Sequence, residues 1–198
     1  MRHHFQRGIS LIELIMFIVI VSVALAGILL VMNVTTRSSA DPLIHKQALA
    51  IAESLLEEVE LMPFTFCDPD DPVAGLASTV DITACTAPAG GEAIGPEAVE
   101  TRYAVPQYDN VNDYNGFIMN AGNGGIKDIT FPINPAIAAL SGYSASVVVT
   151  AQTFSGIAAL DVNGAPQALL ITVTVTGPDN IPVVIEGMRT RYAPRTLP

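Results

Sequence analysis

The sequence predicts an α+β protein, in which one long N-terminal helix is followed by a head domain built on an antiparallel sheet. Three observations lead to this fold class. Residues 14–36 form an uncharged apolar run, residues 43–62 place apolar side chains at helical spacing, and residues 143–192 alternate apolar and polar side chains. A helix repeats every 3.6 residues and a strand every two, so the change of period places the boundary near Pro63.

The apolar run from Leu14 to Thr36 is long enough to cross a bilayer. It holds no charged residue, and at 1.5 Å per residue it would form a helix of about 35 Å. Arg2 and Arg7 precede it, which favours a cytoplasmic N-terminus with the rest of the chain on the other side of the membrane. We therefore expect a transmembrane helix over residues 9–36.

A second helix is predicted over residues 37–62. Asp41 is a good cap and Pro42 suits a first helical turn, so a second helix is expected to start there, with a break or kink between the two. Leu49, Ala52, Leu56 and Val59 share one predicted apolar face. Glu53, Glu57 and Glu60 mark the other side. This amphipathic stalk helix would end at Pro63 and pack on the head.

The head over residues 63–198 is predicted to be rich in strands. Turn-forming residues are frequent, and the clearest strands are expected at 143–151, 169–175 and 182–192. They suggest an antiparallel meander with one buried face. Weaker strand patterns lie at 77–84, 99–105 and 126–131.

Composition excludes several classes of function. Half of the 198 residues are apolar, 14% are charged and the net charge is −10. Such a chain is unlike a disordered tail, and its negative field would repel a nucleic acid. The sequence contains no Ser/His/Asp set, P-loop or zinc-ligand spacing, so we expect no catalytic residue, enzyme activity, cofactor or nucleic-acid partner.

The N-terminus allows three interpretations. A secretory signal peptide would be cut near Ser38–Ala40, but its apolar core is normally shorter than this run. An ordinary membrane anchor explains the length and leaves Gly8 and Glu13 without a role. The run Gly8-Ile9-Ser10-Leu11-Ile12-Glu13, between a basic leader and the apolar helix, closely resembles the class III signal of type IV pilins and type II secretion pseudopilins.

That resemblance implies processing of the N-terminus. A prepilin peptidase would remove residues 1–8 by cutting between Gly8 and Ile9, and the new amine would be methylated. Glycine suits the cut because it leaves an extended backbone unhindered. Ile9 departs from the family pattern, which usually has Phe at the first mature position. The chain would reside in the bacterial inner membrane with its head in the periplasm, and outside the cell after assembly.

The resemblance also implies a role for Glu13, the fifth residue of the mature chain. In the family this carboxylate pairs with the terminal amine of a neighbouring subunit and sets the register of assembly. Two other roles stay open, since Glu13 could lie at the headgroup level beside the helix N-terminus or pair with its own amine. The implied partners are other pilin subunits, the peptidase and methylase, and the inner-membrane assembly machinery.

A looser resemblance narrows the family. Residues 66–71 and 108–117 resemble stretches of minor pilins of the mannose-sensitive haemagglutinin pilus, of the D type. The function implied is that of a minor structural subunit of such a pilus. A minor pseudopilin of a type II secretion system is the first alternative, and a pilus-tip adhesin is the second.

Cys67 and Cys85 are the only cysteines. In an exported chain two cysteines are expected to form one disulfide, here closing a loop of about 18 residues. Two free thiols remain the alternative.

Two acidic stretches offer oxygen ligands of the kind that Ca²⁺ prefers. They contain Asp68, Asp70 and Asp71, and Asp109, Asn110, Asn112, Asp113 and Asn115. Neither matches the EF-hand spacing, and such stretches ordinarily form turns. The sequence therefore predicts no metal site, with Ca²⁺ at either stretch left as an alternative.

Overall fold

A computed structural model describes residues 10–76, 78–86, 91–97, 99–129 and 133–191, without the side chains of 34–41. Gly8, Ile9 and Tyr192 lie outside the described residues. The chain divides into two compact units, residues 1–43 and residues 44–198.

The N-terminal helix, α1, runs from Leu11 to Leu61 and contains Pro42. The predicted start of a second helix at Asp41-Pro42 is therefore wrong. A proline removes one backbone hydrogen bond and can bend a helix without ending it, so the cap-and-proline pattern sets no boundary here. The first part of α1, Leu11–Asn33, has a mean hydropathy of 3.2 and is long and apolar enough to cross a membrane.

The second part of α1 is amphipathic, as predicted. Its buried face is formed by four side chains that are at most 3% exposed: Ala48, Ala52, Leu55 and Val59. Leu49 and Leu56, which were predicted to share this face, flank it and are half-buried. Glu53 and Glu57 are exposed on the opposite side.

The sheet has four antiparallel strands in the order β1-β2-β3-β4. These are β1, Ile118–Met119; β2, Ser144–Ala151; β3, Ala168–Thr176; and β4, Pro182–Thr190. Val147 pairs with Val173, which pairs with Ile185, so the predicted meander is confirmed through Thr190.

The weaker strand predictions are wrong for the described residues. Residues 82–84 form a 3₁₀ turn, while Thr101 and Lys127 make isolated bridges to Gln107 and Ala136. Each of these bridges joins a single residue pair and extends into no ladder among the described residues. The short strand β1 was not predicted, because two residues carry no periodic signal.

The core lies between the sheet and the second part of α1. Inward side chains of β2 and β3, including Val147, Ile171 and Val173, form one apolar cluster with the buried face of the helix. At the periphery, the Tyr143 hydroxyl donates to Gln47 Oε1 over 2.6 Å. Arg189 Nη2 donates to the Met62 carbonyl over 3.0 Å, which satisfies a carbonyl just beyond the helix end.

Candidate functional site: a buried carboxylate cluster

The predicted assembly residue Glu13 lies in the first turn of α1 and is exposed. The Leu14 amide donates to the Ser10 carbonyl over 3.1 Å at the start of this helix. A negative charge at this position is favoured by the helix dipole. The processing residues Gly8 and Ile9 are not described, so their role stays a prediction.

The disulfide between Cys67 and Cys85 is confirmed. The S–S distance is 2.01 Å, the Cα atoms are 5.4 Å apart, and the two residues are separated by 18 positions. Cys67 is completely buried. The disulfide holds the segment after α1 in place at Cys67, which directly precedes Asp68.

Beside the disulfide, acidic side chains from three segments of the chain converge. We call them the carboxylate cluster, which comprises Glu92, Glu97, Glu100, Asp109 and Asp113, with Asp68 and Asp70 at its outer edge. Ligand oxygens of Glu92, Glu97 and Asp113 lie within 4.8 Å of one another, and so do those of Glu100, Asp109 and Asp113. Asp68 completes similar groups with Glu97 and Glu100, and with Asp70 and Asp109.

Backbone hydrogen bonds hold the three segments together. The Glu92 amide donates to the Phe66 carbonyl over 2.8 Å, and the Gly95 amide donates to the Asn112 carbonyl over 3.0 Å. The Val111 amide donates to the Pro63 carbonyl over 3.0 Å. These bonds set the positions of the acidic residues independently of their charges.

Asp113 lies at the centre of the cluster and is completely buried. It belongs to a 3₁₀ turn, Val111–Tyr114, which Asn110 caps. Asp113 Oδ2 accepts from the amides of Asp109 and Asn110, over 3.0 and 2.7 Å. Its Oδ1 has no hydrogen-bond partner among the described residues. One oxygen thus fixes the turn while the other is free to bind a ligand.

Other buried oxygens of the cluster also lack partners in the described part of the chain. Glu92 is 5% exposed, and neither of its carboxylate oxygens accepts a hydrogen bond there. Glu100 Oε2 also has no hydrogen-bond partner there. The same is true of both polar atoms of the Asn112 side chain, which belongs to the same turn as Asp113. Buried polar atoms normally have partners, so this set indicates a ligand.

The electrostatics of the cluster are equally unusual. Burial, with neighbouring negative charges, raises the pKa of Glu92 to about 9 and that of Glu100 to about 8. Burial likewise raises the pKa of Asp113 to about 7 and that of Asp109 to about 6. The ion pair found among the described residues joins Arg102 to Glu58 and includes no carboxylate of the cluster, although Glu92 interacts electrostatically with Arg191.

The two acidic stretches examined in the sequence are partly joined in this cluster. Asp68, Asp70, Asp109 and Asp113 come together. The Asp71 carboxylate instead accepts from the amide and the hydroxyl of Thr86, over 2.7 and 2.6 Å. Asn115 Oδ1 accepts from the Val149 amide over 3.0 Å and so supports the sheet.

Glu92, Glu97 and Glu100 were not predicted as site residues. Their spacing matches no ligand motif, and the only signal in the sequence is an excess of acidic over basic residues. Comparisons with protein-family models, with curated proteins and with solved structures found no match to this chain. The geometry of the cluster shows what it offers chemically, which is a set of carboxylate oxygens.

Proposed function

We propose that this chain is a pilin-like structural subunit of a type IV pilus of the mannose-sensitive haemagglutinin type. The observation that carries the proposal is the difference between the two parts of α1. Its first part, Leu11–Asn33, is apolar and exposed, while its second part buries one face against a β-sheet head. A subunit that is stored in a membrane and then polymerised through the same helix needs these two properties.

The described residues bury none of the apolar window in the first part of α1. Exposed side chains surround the helix, including Phe17, Ile20, Leu25 and Leu29, each more than half exposed. Burying apolar surface is worth roughly 25 cal/mol per Å², so a helix of this kind requires lipid or other apolar helices around it. A bilayer before assembly and neighbouring subunits after assembly both meet this requirement.

Glu13 adds a specific reason to favour assembly over simple anchoring. A carboxylate in the hydrocarbon costs about 2.5–3.5 kcal/mol at a helix centre and less near its end, so it benefits from a cationic partner. Removal of residues 1–8 would create an amine at Ile9. In a polymer, that amine on one subunit is a suitable partner for Glu13 on the next.

The experiment is an intact-mass measurement of the chain, expressed in a host with and without a prepilin peptidase. We expect loss of residues 1–8 and the addition of one methyl group only when the peptidase is present. Gly8→Val should block the cut, whereas Gly27→Val, a change at a glycine with open space around its Cβ position, should leave it unchanged. Cleavage after Ala40, or no cleavage, would refute the proposal.

A further inference from the structure

We propose that the carboxylate cluster is a binding site for Ca²⁺, which joins the segment after α1 to the segments containing Glu92–Glu100 and Asp109–Asp113. The inference does not depend on the proposed function, because every residue that carries it lies in the head.

The donor set selects a hard cation. All side chains that converge in the cluster offer oxygen, and both cysteines are held in the disulfide beside it. Zinc and copper sites in proteins are built chiefly from sulfur and imidazole nitrogen, and no described histidine or free cysteine contributes here. Carboxylate and amide oxygens are the ligands of Ca²⁺ and Mg²⁺.

The number of ligands favours Ca²⁺ over Mg²⁺. Ca²⁺ accepts six to eight oxygens in irregular geometry, including bidentate carboxylates, whereas Mg²⁺ requires near-octahedral geometry and keeps several waters. Two groups of three carboxylates share Asp113, and each carboxylate can bind a cation through one or both of its oxygens. Asn112, in the same 3₁₀ turn as Asp113, is completely buried, and its side-chain amide has no hydrogen-bond partner in the described chain.

Protonation is the competing way to neutralise the cluster, and it accounts for Glu100, which shares a hydrogen bond with Glu97, but not for Glu92. A protonated carboxyl needs an acceptor for its hydrogen, yet both oxygens of Glu92 are buried without a hydrogen bond to any described residue. A cation accepts the lone pairs of several such oxygens at once. The free Oδ1 of Asp113, whose Oδ2 is already bound by two amides, is suited to the same purpose.

The test uses the full chain in detergent micelles, stripped with EDTA and titrated with CaCl₂ by isothermal titration calorimetry. Extracellular calcium sites bind at about 10⁻⁴–10⁻³ M or more tightly, so we expect saturable binding within this range. MgCl₂ should bind at least tenfold more weakly. Absence of calcium binding up to about 1 mM, or equal binding of magnesium, would overturn the proposal.

Glu92→Gln is the diagnostic variant. The wild-type carboxylate makes no hydrogen bond with a described residue, so the change to glutamine breaks none of them. We expect it to weaken calcium binding at least tenfold. Without calcium, its melting temperature should equal or exceed that of the wild type, since an unpaired buried carboxylate is removed. Glu57→Gln, which changes an exposed carboxylate on α1, is the matched control and should leave binding unchanged.

These readouts separate a ligand from a merely structural residue. If Glu92→Gln binds calcium as the wild type does, calcium is not held by this cluster and the proposal is wrong. If the variant is less stable than the wild type in EDTA, Glu92 stabilises the fold without a cation, which also contradicts it. Failure of N-terminal processing would refute the proposed function and leave these results untouched.

Discussion

Arg102 and Glu58 form a bidentate ion pair, although 44 residues separate them in sequence. Arg102 Nε donates to Glu58 Oε1 over 2.7 Å, and Nη2 donates to Oε2 over 2.6 Å. The Tyr114 hydroxyl also donates to Glu58 Oε1, over 2.7 Å. The Glu58 carboxylate of α1 thus holds Arg102 and Tyr114 in place. These residues lie two positions after Glu100 and directly after Asp113.

Glu58→Gln should destabilise the head strongly, because it removes the carboxylate that neutralises the buried charge of Arg102. The side chains of Arg102 and Glu58 are only 7% and 17% exposed. Breaking one side of such a pair costs about 3–5 kcal/mol. We expect a loss of this size in urea unfolding, followed by near-ultraviolet circular dichroism of the packed rings of Tyr108, Tyr114 and Phe117.

The control for this prediction is Glu57→Gln, one residue earlier on the same helix. Its side chain is exposed, so the free energy of unfolding should change by less than about 0.5 kcal/mol. Equal losses in the two variants would mean that the ion pair makes no special contribution.

Gly187→Ala should loosen the contact between α1 and β4. A Cβ atom at Gly187 would lie 2.9 Å from Leu56 Cδ1 and would also contact Glu60 Oε1. Overpacking of this kind costs roughly 1–3 kcal/mol. Gly75→Ala is the matched control, because nothing lies within 4 Å of its Cβ position. A melting temperature equal to that of the control would contradict close packing at this point.

The sequence was sufficient to predict the elements that have a regular period. Alternation in residues 143–151 and 169–175 predicted β2 and β3, because one face of each strand is buried along its whole length. The apolar run and the helical spacing predicted α1. The break at Pro42 was wrong, because a local cap pattern cannot show whether the turns on either side will continue the helix.

The carboxylate cluster could not be predicted in the same way. Its members come from three segments, which are brought together in the fold by backbone bonds such as those from Glu92 to Phe66 and from Gly95 to Asn112. Considered separately, Asp68 and Asp113 belong to ordinary turns. The property that distinguishes them is loss of solvent around several like charges, which arises only in the folded chain.

Removal of the disulfide should lower stability and weaken calcium binding together. A closed loop of about 18 residues is worth roughly 3 kcal/mol in the chain-entropy account. The Cys67→Ser and Cys85→Ser double variant should lose about this much free energy of unfolding. Its calcium affinity should also fall, because Asp68 follows Cys67 directly.

Reducing agent provides the control for the disulfide prediction. It should lower the melting temperature of the wild type towards that of the double variant and leave the double variant unchanged. Unaltered calcium affinity in the double variant would show that the bond does not help to position Asp68.

In EDTA, the stability of the chain should fall as the pH rises. The folded-state pKa values of Glu92, Glu100 and Asp113 are raised to about 9, 8 and 7, while an unfolded carboxyl titrates near 4. The folded state therefore holds more protons between these limits, and unfolding releases them. The stability that these protonated carboxyl groups contribute is therefore fully present below about pH 4. It is lost as the pH rises through their folded-state pKa values.

Each extra proton held by the folded state contributes about 1.4 kcal/mol per pH unit. Calorimetric melting at intervals between about pH 5 and pH 9 would measure this slope. Saturating calcium should flatten it, because the cation replaces the protons, and Glu92→Gln should reduce it in EDTA. A stability that increases with pH in EDTA would show that the cluster carries no unfavourable charge.

Glu13→Ala should reduce the number of assembled filaments without reducing the amount of chain in the membrane. This prediction follows from the proposed function, in which Glu13 of one subunit binds the amine of another. A hydrogen bond to a charged group contributes about 1.5–3 kcal/mol, so its loss should lower the equilibrium for subunit addition by roughly 10- to 100-fold. The measurement is an immunoblot that compares the chain in sheared surface filaments with the chain in the membrane.

The control is Glu53→Ala, which changes an exposed carboxylate on the amphipathic part of the same helix and should assemble normally. Normal assembly of Glu13→Ala would leave Glu13 as a residue that only favours the helix N-terminus.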